Sequence, residues 1–151
     1  MTFRFRRPKA LAVRSDAPRI LVPFAGSLDQ GVLDAAIRIA KAEDAVLVPA
    51  YLLVVPLRYA EDSPLRDEVK MAMPLLEAVE HAALRAGVPV DARIEKGRTL
   101  THAVKRLWEA ESFDRIVAPA PAPGREGFTP KELAWLLTNS PSETVVLKPA
   151  A

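Results

Sequence analysis

The sequence has no cysteine, which excludes disulfides, thiolate metal sites and thiol nucleophiles together. Imidazole chemistry is nearly as scarce. His81 and His102 are the only histidines, far apart on stretches of helical spacing, and they read as surface or boundary residues rather than metal ligands. No G-x-S-x-G, H-E-x-x-H or GxxxxGK[ST] element occurs, and the serines lack a histidine base by spacing. Neither a catalytic residue nor a metal or cofactor is therefore expected. Long hydrophobic runs are missing too. The longest charge-free apolar stretch, residues 45–57, falls below the ~18 residues of a membrane-spanning helix and is broken by Pro49 and Pro56. Near the N-terminus only Ala10-Leu11-Ala12-Val13 follows the basic start, less than the ~7 apolar residues of an export signal, so a cytoplasmic location is expected.

What is present is an ordinary soluble composition. Of the 151 residues, 50% are hydrophobic and 26% charged, enough for one core and too few for two full domains. The formal charge of +2 is spread unevenly: residues 1–19 hold six basic residues against Asp16 alone, and the remainder carries fifteen basic against eighteen acidic. The chain thus divides into a basic tail, 1–18, and a mildly acidic domain, 19–149. In the tail, Phe3-Arg4-Phe5-Arg6-Arg7-Pro8-Lys9 mixes aromatics with arginines, as segments that touch single-stranded nucleic acid or an anionic membrane do. Pro8 and Pro18 oppose a continuous helix, and a disordered solubilising extension is the plainer expectation.

From Arg19 onward, short β-branched runs alternate with helical spacing. Strands are expected over residues 19–24, 45–55, 88–95, 114–118 and 144–148. A first helix, capped by Ser27 or Asp29, turns Val32, Ala35, Ala36, Ile39 and Ala42 inward. A second covers 64–86, kinked or restarted at Pro74 and stopped by Gly87. A third starts at Thr99 or Thr101 with Leu100, Ala103, Val104 and Leu107 inward, and a last helix over 130–138 is announced by the capping box Thr129-Pro130-Lys131-Glu132. Pro49 conflicts with a central strand because proline cannot donate to a ladder, and the third strand is polar enough to be placed at an edge. Met71 and Met73 read as gap-filling core beside Pro74, and the acids from Asp34 to Glu68 as solvated surface. Trp108 and Trp135, at the margins of their apolar stripes, read as partly buried packing or as anchors for a partner. The alternation implies an α/β fold: a three-layer α/β/α domain around a five-stranded parallel sheet.

Ile20-Leu21-Val22-Pro23-Phe24-Ala25-Gly26-Ser27 resembles the opening strand and turn of universal stress proteins, I-L-V-P-x-D-G-S. Asp114-Arg115-Ile116-Val117, the helix with Glu132-Leu133-Ala134 and the closing Thr144-Val145-Val146-Leu147-Lys148 are similar to the family's D-L-I-V, G-S-V-A-E and P-V-L-V-V elements, in the same order. The resemblance spans about residues 19–149 and implies an adenine nucleotide alpha hydrolase-like sheet of order 3-2-1-4-5. Members that bind ATP carry an aspartate in the first loop and a G-x-x-G-(nine residues)-G-S/T loop before the last helix, where backbone N–H groups and a helix N-terminus meet the phosphates.

Here the aspartate position is Ala25, the first two glycine positions fall on Pro119 and Ala122, and the final pair, counted back from the last strand, falls on Pro130 and Lys131. Gly124-Arg125-Glu126-Gly127 offers another beginning, but nine residues beyond it lies Leu137-Thr138, near the end of the last helix. The expectation is a stress-response or regulatory binding module without ATP, metal, cofactor or enzymatic activity. Its candidate pocket comprises Ala25, Gly26, Ser27, Pro119, Ala122, Gly124, Gly127, Thr129 and Lys131. Two alternatives stand beside it: an ATP- or AMP-binding protein with a nonstandard phosphate loop, and a regulatory partner of a membrane transporter docked through the tail. The last strand is apolar on both faces and would be an edge in this order. The resemblance implies that Thr144, Val145, Val146 and Leu147 pair with their copies in a homodimer, with a further protein partner compatible.

Overall fold

In a computed structural model, which describes residues 2–4, 16–121 and 123–149, the elements follow as β1 (Thr2–Arg4), β2 (Arg19–Phe24), α1 (Gln30–Ala42), β3 (Val46–Val54), α2 (Arg66–Arg85), β4 (Arg93–Gly97), α3 (Leu100–Ala110), β5 (Arg115–Pro119), α4 (Pro130–Asn139) and β6 (Glu143–Leu147). Strands β4-β3-β2-β5-β6 are parallel neighbours, the order expected of the five, and β1 adds a sixth strand antiparallel to β4, with Phe3 opposite Ile94. For residues 2–4 this departs from the expected disordered tail. Residues 5–15, and with them most of the segment expected to meet nucleic acid or membrane, lie outside the described residues. Among the described residues no helix is long and apolar enough to cross a membrane.

The period-2 alternation of the strands sends apolar side chains to both faces of the sheet. Leu21, Val48, Ala50, Ile116 and Ala118 pack with Ala103, Val104 and Leu107 of α3 and Leu133 and Leu136 of α4. Ile20, Val22, Leu47 and Val117 face the opposite way, onto Leu33, Ala36, Ile37 and Ala40 of α1 and Val79 and Ala83 of α2. Helix α1 is therefore rotated relative to the expected face: Val32, Leu33, Ala36, Ile37 and Ala40 are buried, whereas Ala42 is exposed. Helix α2 runs unbroken through Pro74, which sits on its exposed side, so no new helix begins there. Met71 is 78% exposed rather than core, while Met73 packs against Leu76 and its neighbours. Trp108 and Trp135 stack on one another with ring centroids 5.4 Å apart and join α3 to α4, which makes them packing residues.

Pro49 stays inside β3, between β2 and β4, and the ladder records it. Leu47 N–H donates to Pro89 O and Asp91 N–H to Leu47 O, after which β3–β4 pairing resumes only at Ala50↔Arg93. The missing donor falls in that gap, where a parallel ladder would next have used it.

The polarity of β4 also has a cause other than an outer edge. Arg93, Glu95 and Lys96 are almost wholly buried. Arg93 is held by Asp91 at 2.8 Å and by Glu111, Asp91 also accepts from Arg19 at 2.6 Å, and Lys96 Nζ donates to Ser63 O at 2.5 Å. Burial favours the neutral Asp91 carboxyl, but its bonds to the Arg93 and Arg19 guanidinium groups prevail and hold its pKa below the usual carboxylate value. The same pairing holds Arg93 above its ordinary value against its own burial.

Where β4 meets α3 the backbones touch: a Cβ on Gly97 would lie 2.7 Å from Ala103 N and 3.0 Å from its Cα. Gly97→Ala forces that helix turn away from the sheet. We expect it to cost about 2 kcal/mol, read as a lowered thermal transition with unchanged far-UV dichroism.

Candidate functional site

In an open parallel sheet, ligands gather beyond the C-terminal strand ends where the chain order reverses. Here that point lies between β2 and β5, whose register runs only through Ile20↔Arg115 and Leu21↔Ile116, while β2 stays paired with β3 as far as Phe24↔Tyr51. Pro23 brings no N–H to the β5 side, and the two strands part. Gly26, at φ +73°, then turns the chain, Ser27 N–H donates to Ala25 O at 2.8 Å, and Asp29 caps α1 by accepting from Val32 N–H at 3.1 Å.

Two cavities open here. The first, in the fork itself, is lined by Ala25, Ser27, Asp29, Pro119 to Pro121, Arg125 to Gly127 and Pro149, and holds about 30 Å³. That is room for roughly two waters. The second, beyond β3, is lined by Ala25, Gly26, Tyr51, Leu52, Leu53, Val54, Leu100, Glu126 and Gly127, and holds about 400 Å³. Glu126 stands at both. A Cβ at position 26 would come within 2.7 Å of its Oε2, so the glycine is what lets this side chain lie across the turn. Burial and the neighbouring Glu126 charge push the Tyr51 phenol above its ordinary pKa, with a hydrogen bond to the Gly26 backbone pulling the other way. The Tyr51 ring is held edge-on against Phe24 at 5.4 Å.

The start of α4 attends to itself. Thr129 Oγ1 accepts from Glu132 N–H at 3.1 Å, and Glu132 Oε1 accepts from Thr129 N–H at 2.8 Å. Pro130 has no N–H, so the donors that a phosphate would seek are largely absent or taken, and Glu132 places a negative charge in the first turn.

Of the residues picked from the sequence, Ala25, Gly26, Ser27, Pro119 and Gly127 come together around the two cavities. Gly124 is at an exposed turn with φ +72°, Thr129 caps α4, Lys131 is exposed in its first turn, and neither Thr129 nor Lys131 lines a cavity. Ala122 lies outside the described residues. Leu137 and Thr138 sit in the final turns of α4, on the wrong end for a phosphate loop. Tyr51, Leu100 and Glu126 were missed. The C-terminal end of β3 was the available signal for Tyr51, and the Gly-Arg-Glu-Gly turn for Glu126.

Elsewhere, the β3–α2 loop carries Glu61 to within 4.0 Å of His102 Nδ1, a carboxylate that sequence spacing did not show, although Glu61 is also bound by Arg106 at 3.2 Å. His81 is exposed on α2. Among the described residues no group of three or more histidine, aspartate or glutamate side chains is placed to hold a metal ion.

No family model matches the sequence, and no curated protein does. Solved structures do. A universal stress protein family member from Burkholderia pseudomallei aligns over 91% of this chain and 100% of its own at 22% identity, with a TM-score of 0.65. The universal stress protein UspA from Lactobacillus plantarum aligns over 89% of this chain and 99% of its own at 19% identity and a TM-score of 0.69. A universal stress protein family protein from Arabidopsis thaliana, solved with AMP bound, aligns over 89% and 93% at 16% identity and a TM-score of 0.62. With five parallel strands in the order β4-β3-β2-β5-β6 and helices on both faces, the chain has the fold of the universal stress proteins.

Proposed function

We propose that this chain is a universal stress protein of the kind that has given up its ATP site and works as a regulatory binding module, cytoplasmic, dimeric and without enzymatic activity. The observation that carries the reading is the state of the fork: about 30 Å³ of space, with the Glu126 carboxylate lying across Gly26 where phosphates would have to approach. At roughly 5 Å, with an effective dielectric constant of about 20–80, a dianionic phosphate and a carboxylate repel by about 2–7 kcal/mol. The Ala25 side chain supplies no hydrogen bond or metal ligand to offset this, and the start of α4 is largely closed by Pro130 and its own capping box. The protein purified from cells and denatured should release no stoichiometric adenine nucleotide; about one equivalent per chain would refute the reading.

A second reading is favoured by one specific observation. The 400 Å³ cavity beyond β3 is large enough for a nucleoside, and one structural neighbour holds AMP. Under it, an adenine nucleotide sits with its base in this cavity and its phosphate turned to solvent. A thermal shift with AMP that persists in high salt favours this reading over the first.

A further inference from the structure

The cavity beyond β3 is apolar over Leu52, Leu53, Val54 and Leu100, and the ionisable side chains facing it are the Tyr51 phenol and the Glu126 carboxylate. Among the described residues, no lysine, arginine or backbone N–H is bonded to that carboxylate, while its charge is felt at Tyr51. The phenol is fixed by Phe24 on one side, so its ring is a set wall. A pocket with a negative group at its mouth, an aromatic ring beside it and an aliphatic floor is complementary to a cation on an apolar body. An ammonium or amidinium placed there meets Glu126 in a charge-assisted hydrogen bond, with its apolar part against the end of β3.

We infer that this cavity binds a small organic cation, a primary amine or amidine carrying a flat apolar body, through Glu126 and Tyr51. The inference rests on the reading that the site does not accept phosphates, and it names the ligand class that the altered site takes instead.

Calorimetric titration of the full chain with tyramine, benzamidine, the uncharged 4-ethylphenol and AMP tests it. Tyramine or benzamidine should bind with a dissociation constant below about 1 mM, and 4-ethylphenol at least tenfold more weakly. Glu126→Gln should remove that preference, while Met71→Gln, on the exposed side of α2, should not. Equal binding of tyramine and 4-ethylphenol, unchanged tyramine binding in Glu126→Gln, or no cation binding at 10 mM would each overturn the inference. If no probe binds, AMP included, the inference falls and the reading beneath it stands. If AMP binds and the amines do not, both fall.

Discussion

Asp91→Asn should lower stability by about 2 kcal/mol at pH 7, because the substitution leaves the buried Arg93 with Glu111 alone. The loss stays below the ~3–5 kcal/mol of a fully buried pair because the Asp91 side chain is 23% exposed. For a domain of this size about 2 kcal/mol corresponds to a fall of about 4–8 °C in the thermal transition. The pH dependence follows from the direction of the shift. Pairing holds the folded pKa of Asp91 below its unfolded value of about 3.9, so its contribution is complete above about pH 5. That contribution is lost as pH falls below about 4 and through the folded pKa. Wild type and Asp91→Asn should therefore converge in stability at low pH and diverge toward neutrality. Denaturant titrations at pH 3 and pH 7 read this directly; a constant gap between the two proteins would show that Asp91 acts through shape and not charge.

If the proposed dimer forms through β6, Val146→Lys should shift it to monomer. Strand β6 ends the sheet beside β5, and among the described residues nothing pairs with its outer edge. Its side chains from Thr144 to Leu147 are only partly covered. An apolar edge of this kind invites a second copy, and a two-fold interface would contain the substitution twice. A loss of about 1.5 kcal/mol per copy weakens association roughly a hundredfold. Sedimentation equilibrium near the dissociation constant of the wild type measures it, with Met71→Lys as a control that leaves the dimer intact. Because Val146 also touches the core, Val145→Lys provides a second variant, and near-UV dichroism checks that each remains folded. Wild-type protein that is monomeric at 100 μM would end the proposal. The opposite edge differs, since β4 is covered by β1 over Arg93–Glu95. One open edge permits a closed pair, whereas two would permit a filament.

The architecture was legible because its signals were redundant. Alternating periods, the Thr129-Pro130-Lys131-Glu132 capping box and the Gly87 stop each fix an element locally, and the structure has them all, with Gly87 at φ +80°. What was not legible depends on contacts across the fold. The polarity of β4 suggested an edge, and β4 does end the five parallel strands, but its charges are buried: β1 adds beyond it, and Arg93 and Lys96 are satisfied by Asp91, Glu111 and Ser63, the last two in other elements or loops. The face of α1 was misjudged because Ala35, Ile39 and Ala42 are as apolar as the residues that are buried, so spacing alone did not choose between them.

At the site, five of the chosen residues converge because β2 and β5 are neighbours in the sheet. Thr129 and Lys131 were chosen through a loop motif that this chain has replaced by a self-capped helix. Glu126 was seen in sequence only as part of a glycine turn. Its position across Gly26 is a tertiary fact, and it is the one that most changes what the crevice can hold.

Under the proposed function, the fork between β2 and β5 does not accommodate a nucleoside triphosphate. The most direct test is the thermal transition of the full chain titrated with ATP and magnesium up to 5 mM. The account predicts a shift below about 1 °C. Ligand at a hundredfold its dissociation constant stabilises the native state by about 2.7 kcal/mol, about 5–10 °C for a domain of this size, and a saturable rise of that order would contradict it.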